Sequence, residues 1–262
     1  SEMCIRDRLL GFLSGCDYLD IVPDNLPTLE MAFNNKSSAE RFLFTCYSFV
    51  PEHGKIGTDP GMDVGDEVWY YSDNSADYSN KTTFWIAKGM QNSNEPLVDY
   101  WNGAQWGKAM FVGIRDCNVF IENIDKVPDL SAYDKETWKA EAKVLKAFYH
   151  FWMMRMYGPI PIIKENIPVS AGEDEVRVVR DKIDDIVTYI VSLIDESVEY
   201  LPLNIQNEAA EMGRITRPAA KAIKAKILAF AASPFFNGNL DYANFKNAEG
   251  EPFFNQVYDN EK

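Results

Sequence analysis

Between Val144 and Tyr157 only Lys146, His150 and Arg155 are polar, and Gly158-Pro159-Ile160-Pro161 follows at once. A segment apolar nearly all round is a buried helix, not a surface helix with one wet face. The pattern predicts a central helix opening near Thr137, with Asp134 or Thr137 placed to cap it. Glu136 suits the positive end of its dipole. Gly158 is placed to take the left-handed position beyond the last turn. Pro159 and Pro161 then force extended backbone, with a small hairpin as one outcome near Ile160–Ile163.

Other helical patterns surround this one. Ser37-Ser38-Ala39-Glu40 has the form of a capping box, and Phe42, Leu43, Cys46, Phe49 and Val50 follow at helical spacing. Trp101 opens a pattern running to Ile124. Trp106, Met110, Ile114, Cys117 and Ile121 lie along one side of it, so both tryptophans fall on a well-buried helix. Trp101 is assigned to the core. Val179 to Leu201 is amphipathic and ends at Pro202, and Thr216 caps a final helix rich in alanine: Ala219, Ala220, Ala222, Ala225, Ala229, Ala231 and Ala232. Small side chains let helices approach closely. The expected fold is mainly α-helical, built of helix pairs.

Residues 51–106 have a different character. Gly, Pro, Asn, Asp and Ser are frequent, and aromatics are scattered without a clean period. A long irregular segment inside a helical domain is usually functional or disordered, and this aromatic content argues against disorder. The rings either peg a loop layer to the helices or form an open platform. Aromatic faces stack on sugar rings, whose axial C–H groups make an apolar face, while neighbouring Asn and Asp bind hydroxyls. Trp69, Tyr70, Tyr71, Tyr78 and Trp85 are the platform candidates. Trp69, Tyr70 and Tyr71 are adjacent, so in extended chain they do not all face one way. Asp59, Asp63, Asp66 and Glu67 form an acidic cluster whose spacing is not that of a calcium-binding EF-hand loop, and it reads as a solvated loop.

Composition excludes several functions. The net charge is −14, so the basic face that nucleic acid or an anionic lipid surface requires is missing. The four cysteines (Cys4, Cys16, Cys46, Cys117) have no zinc spacing, and only two histidines are present. No run approaches the about 18 apolar residues of a membrane span. Glu141 and Arg155 lie almost four turns apart on the central helix, so each needs a partner elsewhere and neither reads as catalytic. His150 has no nucleophile or acid one turn away and reads as a packing histidine. No nucleophile–base pair, phosphate loop or metal triad is present, so no enzyme activity, cofactor or metal is expected.

The run Ala142-x-x-Leu145-Lys146-Ala147-Phe148-Tyr149-His150-Phe151, followed by Arg155-Met156-Tyr157-Gly158-Pro159-Ile160-Pro161-Ile162, resembles the core signature of the SusD/RagB family. The usual pattern has Arg at the place of Lys146 and commonly Tyr at that of His150. Asn118-x-Phe120-Ile121, Leu201-Pro202, Gly213-Arg214-x-Thr216 with Ala219-Ala220, Ser233-Pro234 with Asn237-Gly238, and Phe253 to Asp259 extend the likeness over residues 16–262. It implies tetratricopeptide-like helix pairs and an outer-membrane lipoprotein facing the exterior. It also implies non-covalent glycan binding and delivery to a SusC-like TonB-dependent transporter. The strict tetratricopeptide repeat signature is absent.

Leu13-Ser14-Gly15-Cys16, after the apolar Leu9–Leu13, resembles a bacterial lipobox, with Cys16 as the lipid attachment. Residues 1–15 are then signal-peptide remnant and artefactual sequence. The resemblance implies that residues 16–262 are the N-terminal region of a longer protein, cut short at its C-terminus. The alternative functional reading is a tetratricopeptide-like protein-interaction scaffold. A glycoside hydrolase comes third, because no acidic pair is marked by its context.

Overall fold

A computed structural model describes residues 29–52, 54, 59–65 and 81–260. In chain order the helices are α1 (Leu29–Ala32), α2 (Lys36–Tyr47), α3 (Pro60–Asp63), α4 (Lys81–Ala87) and α5 (Met110–Asn123). They continue as α6 (Ala132–Tyr157), α7 (Glu173–Val176), α8 (Ile183–Ser197), α9 (Glu208–Glu211) and α10 (Arg217–Ala231). Among the described residues there are only isolated bridges and no strand; the hairpin expected near Ile160 does not form. The extended chain there is held by Asp181 instead, whose amide donates to Ile160 O while its carboxylate accepts from Ile162 N.

The central helix is α6, and it is longer than its apolar run. Ser131 is its N-cap, its side chain accepting from Asp134 N at 3.0 Å, so neither Asp134 nor Thr137 has that role. The apolar periodicity cannot see this start, because the first turn is polar. At the other end Gly158 is the C-cap with φ 71 and ψ −127, a positive-φ conformation that suits glycine but is not the left-handed helical one expected there. The long helices stack in chain order: α2 on α5, α5 on α6, α6 on α8, α8 on α10. That sequential packing is how helical repeats bury a continuous core.

Sequence boundaries slip by a turn elsewhere. Asn35, not Ser37, caps α2, its side chain accepting from Ser38 N at 2.9 Å. Val179 lies exposed before α8, which begins at Ile183. Thr216 caps α10 as expected. Only Ala220 and Ala231 of its alanines are buried, however; Ala219, Ala222, Ala225 and Ala229 are exposed. Cys46 and Cys117 are buried core thiols.

Two buried ion pairs fasten the loops to α6. Glu141 accepts from Arg214 and from the Tyr47 hydroxyl, and Arg155 donates to Asp59 at 2.9 Å. The Asp59 carboxylate also accepts from the amides of Gly54 and Gly61. Asp59 is therefore a buried structural knot, contrary to the solvated loop read from the acidic cluster; Asp66 and Glu67 lie outside the described residues. His150 is fully buried and bonded on both ring nitrogens, which is the packing role expected of it.

Candidate functional site

The C-terminal end of α6 carries a loop layer running from α4 to the start of α5. Trp85 sits half-buried on α4 with the Lys88 ammonium 5.0 Å from its ring centroid. The chain is then clamped by Gln91, whose amide donates to Val98 O at 2.9 Å while its carbonyl accepts from Leu97 N at 2.7 Å. Of the other platform candidates, Trp69, Tyr70, Tyr71 and Tyr78 lie outside the described residues, as does the lipid-attachment candidate Cys16.

Residues 99–107 form a tightly wound loop. Asp99 Oδ1 accepts from the amides of Trp101 (2.8 Å) and Asn102 (3.0 Å), and its Oδ2 accepts from the Asn102 side chain at 2.9 Å. Burial acts to raise the Asp99 pKa, but these donors outweigh it and hold the carboxyl below its usual range. The loop closes through Asp99 N to Ala104 O (3.1 Å), Gly103 N to Asp99 O (3.1 Å) and Gly107 N to Ala104 O (2.9 Å). From beneath, the Tyr157 hydroxyl at the end of α6 accepts from Tyr100 N at 2.9 Å. Trp101 packs edge-on against Phe111 and Tyr157 on the core, as assigned, with the Arg180 guanidinium 5.6 Å from its ring.

Trp106 departs from its expected place. The helix begins at Met110, so neither Trp101 nor Trp106 is on it as expected, and 85% of the Trp106 surface is exposed. Its spacing to Met110 and Ile114 mimicked a helical stripe, but Gly103 and Gly107 break the helix there. A Cβ on Gly107 would lie 2.0 Å from Asp99 O, so the strand-like backbone approach admits only glycine. Gly107→Ala is accordingly expected to cost about 2 kcal/mol, since rigid backbone must shift to make room. Urea denaturation with the same slope as wild type and a lower midpoint checks this.

Residues 17–228 match the model of a SusD-like family described as starch-binding and associating with the outer membrane. The chain belongs to the SusD-like family. A SusD-like protein of Bacteroides ovatus is 31% identical over 99 residues, which is 38% of this chain and 16% of that protein. The solved structure of BT4246 superposes with TM-score 0.70 at 29% identity, covering 86% of this chain and 37% of that one. Surface glycan-binding protein A from Bacteroides uniformis shares the fold, with TM-score 0.58 at 18% identity over 82% of this chain and 50% of its own. The chain thus spans well under half the length of the first two relatives. The family resemblance and the mainly helical, SusD-like architecture expected from the sequence both hold.

Proposed function

We propose that this SusD-like chain serves glycan capture at the outer surface of the cell. Oligosaccharide would be bound without covalent chemistry at the aromatic loop layer and handed to a SusC-like TonB-dependent transporter. Cys16 would carry the lipid that keeps the protein at the outer membrane. The observation that carries this reading is the family match over residues 17–228, with its description as starch-binding. Two features of the chain support it. The charge of −14 favours neutral ligands over anionic ones, and among the described residues no helix is long and apolar enough to cross a membrane, which fits attachment through a lipid.

The rim built from α4 and the 88–107 segment is the proposed ligand face, with Trp85 and the sequence candidates Trp69, Tyr70, Tyr71 and Tyr78 as stacking residues. Native affinity electrophoresis against a panel of neutral and acidic polysaccharides tests the proposal. Retardation by a neutral glycan with no release of reducing ends is the expected result. Release of reducing ends would make the protein a hydrolase, and unretarded migration through every gel would leave the interaction-scaffold reading in its place.

A further inference from the structure

Among the described residues Trp106 is the one tryptophan left in solvent. Trp138 and Trp152 are buried, and Trp85 and Trp101 are half-buried. Its backbone is stranger than its exposure. Gln105 has φ 50 and Trp106 has φ 69, and the Gly107 amide donates to Ala104 O at 2.9 Å across them. That is a four-residue turn whose two central residues both have positive φ, as in type I′. Such turns take Asn-Gly or Gly-Gly, because a Cβ is unfavourable at both centres. Here a bulky aromatic stands where glycine belongs, with glycines one residue further on and three residues back.

Strain of this kind persists only where surrounding structure over-determines it, and it collects at ligand-contacting sites. The surroundings here do over-determine it. The Asp99 carboxylate, the paired Asp99 and Ala104 backbones, the close approach of Gly107 to Asp99 and the Tyr157 hydroxyl fix the turn on the end of α6. The indole is therefore rigidly presented with its apolar area uncovered. The hydrophobic effect opposes that placement, and packing among the described residues does not explain it.

We infer that Trp106 is a stacking platform for a neutral pyranose ring, resting on the proposal that this chain binds glycans. Two kinds of ligand suit an exposed, rigid indole: a sugar ring or an apolar protein partner. The neighbours favour the sugar. Asn102 and Gln105 are exposed amides with both donors and acceptors for ring hydroxyls, and no other large apolar side chain of residues 99–109 is exposed. A protein anchor of the hot-spot type sits instead within a ring of contacts that excludes water.

The test uses the whole chain and whichever neutral glycan retards the wild type. Trp106→Ala should weaken binding by roughly tenfold, the loss of one ring-stacking contact, and Trp106→Phe should keep part of the affinity. Trp106→Gly should raise the thermal midpoint while losing the same affinity, because glycine relieves the positive φ. A merely structural tryptophan would not move stability and affinity in opposite directions. Unchanged glycan affinity in both Trp106→Ala and Trp106→Gly would overturn the platform while leaving the glycan reading intact. Loss of association with an outer-membrane transporter alone, with glycan affinity retained, would make the residue a protein anchor and equally overturn it. If no glycan retards the wild type, the platform falls together with the reading on which it rests.

Discussion

Replacing Arg214 by alanine is expected to destabilise the protein by about 3–5 kcal/mol, the range for breaking one half of a buried ion pair. Glu141 lies on α6 with almost no exposure, and Arg214 reaches it from the segment before α10 with two bonds, 2.7 and 3.1 Å. The Tyr47 hydroxyl of α2 donates to the same carboxylate at 2.5 Å and accepts from Ile215 N at 2.9 Å. One carboxylate thereby ties three segments that are far apart in sequence. Burial pushes the Glu141 carboxyl above its usual range even against Arg214 and Tyr47, so little stabilisation is left over once the charge has lost its water. Removal of the cation strands that carboxylate inside the protein. Glu141→Leu with Arg214→Leu together should recover much of the loss, because two apolar groups leave no charge unsatisfied. Denaturant titration of the single and double variants measures both effects. A cost under about 1 kcal/mol for Arg214→Ala would mean that the pair behaves like a solvent-exposed one.

How much of this was legible in the sequence depends on where the information sits. The α6 core was plain, because a run of fourteen positions from Val144 to Tyr157, eleven of them apolar, and a Gly-Pro stop are local signals. Its start was not, because Ser131 caps a polar turn that has no hydrophobic period. The separate partners of Glu141 and Arg155 were foreseeable as a need, since neither reaches the other along one helix. Arg214 and Asp59 as those partners were not, because both contacts span long sequence separations. The family itself was readable, since its signatures are short runs of unusual residues.

The loop site was harder. Trp106 was read onto a helix because it lies four residues before Met110 and eight before Ile114, a spacing that helix and chance produce alike. The signal that separates them was present in Asn102-Gly103, a dipeptide of the kind that marks turns, and in the second glycine at Gly107. They are also where a Cβ would meet backbone or Ala109 at under 3 Å. Asp59 was misread for a related reason. An acidic residue among other acids reads as solvated, and nothing local announces that Arg155, stacked 4.3 Å over Trp152, waits at the end of α6. Turn chemistry and long-range charge pairing are decided by the fold, so sequence gives the need and the structure gives the partner.

His150 should give the protein a loss of stability on acidification of about 3 kcal/mol. The Ile163 amide donates to Nε2 at 3.2 Å, so Nε2 carries no proton; Nδ1 carries it and donates to Lys146 O at 2.8 Å. The neutral tautomer is fixed at both nitrogens. Burial first, and the nearby Lys146 ammonium after it, lower the pKa to about 4 from 6.5, while the bond to Lys146 O acts the other way. Tyr189 of α8 meets the ring edge-on at 5.5 Å and offers no negative charge. Below pH 6.5 the unfolded chain takes up a proton that the folded chain refuses, so the unfolded state is favoured progressively. The stability is complete above about pH 6.5 and is lost as pH falls toward 4; a difference of 2.5 in pKa at 1.36 kcal/mol each is about 3 kcal/mol. Carboxylates titrate in the lower half of the same window, so the measurement is a difference. Urea midpoints from pH 7 to pH 4 for wild type and His150→Gln should converge on acidification, the glutamine variant being less stable at pH 7 and losing less on the way down. Parallel curves would place the titrating proton elsewhere and leave His150 as packing alone. The wider consequence concerns Lys146, which donates to Lys164 O at 2.6 Å beside this ring. Burial lowers its pKa to about 8, so burial opposes the charged form at two of the three polar interruptions of the central apolar run, Lys146 and His150. Both pin the chain that follows Gly158-Pro159-Ile160-Pro161 to α6, His150 by accepting from Ile163 N and Lys146 by donating to Lys164 O.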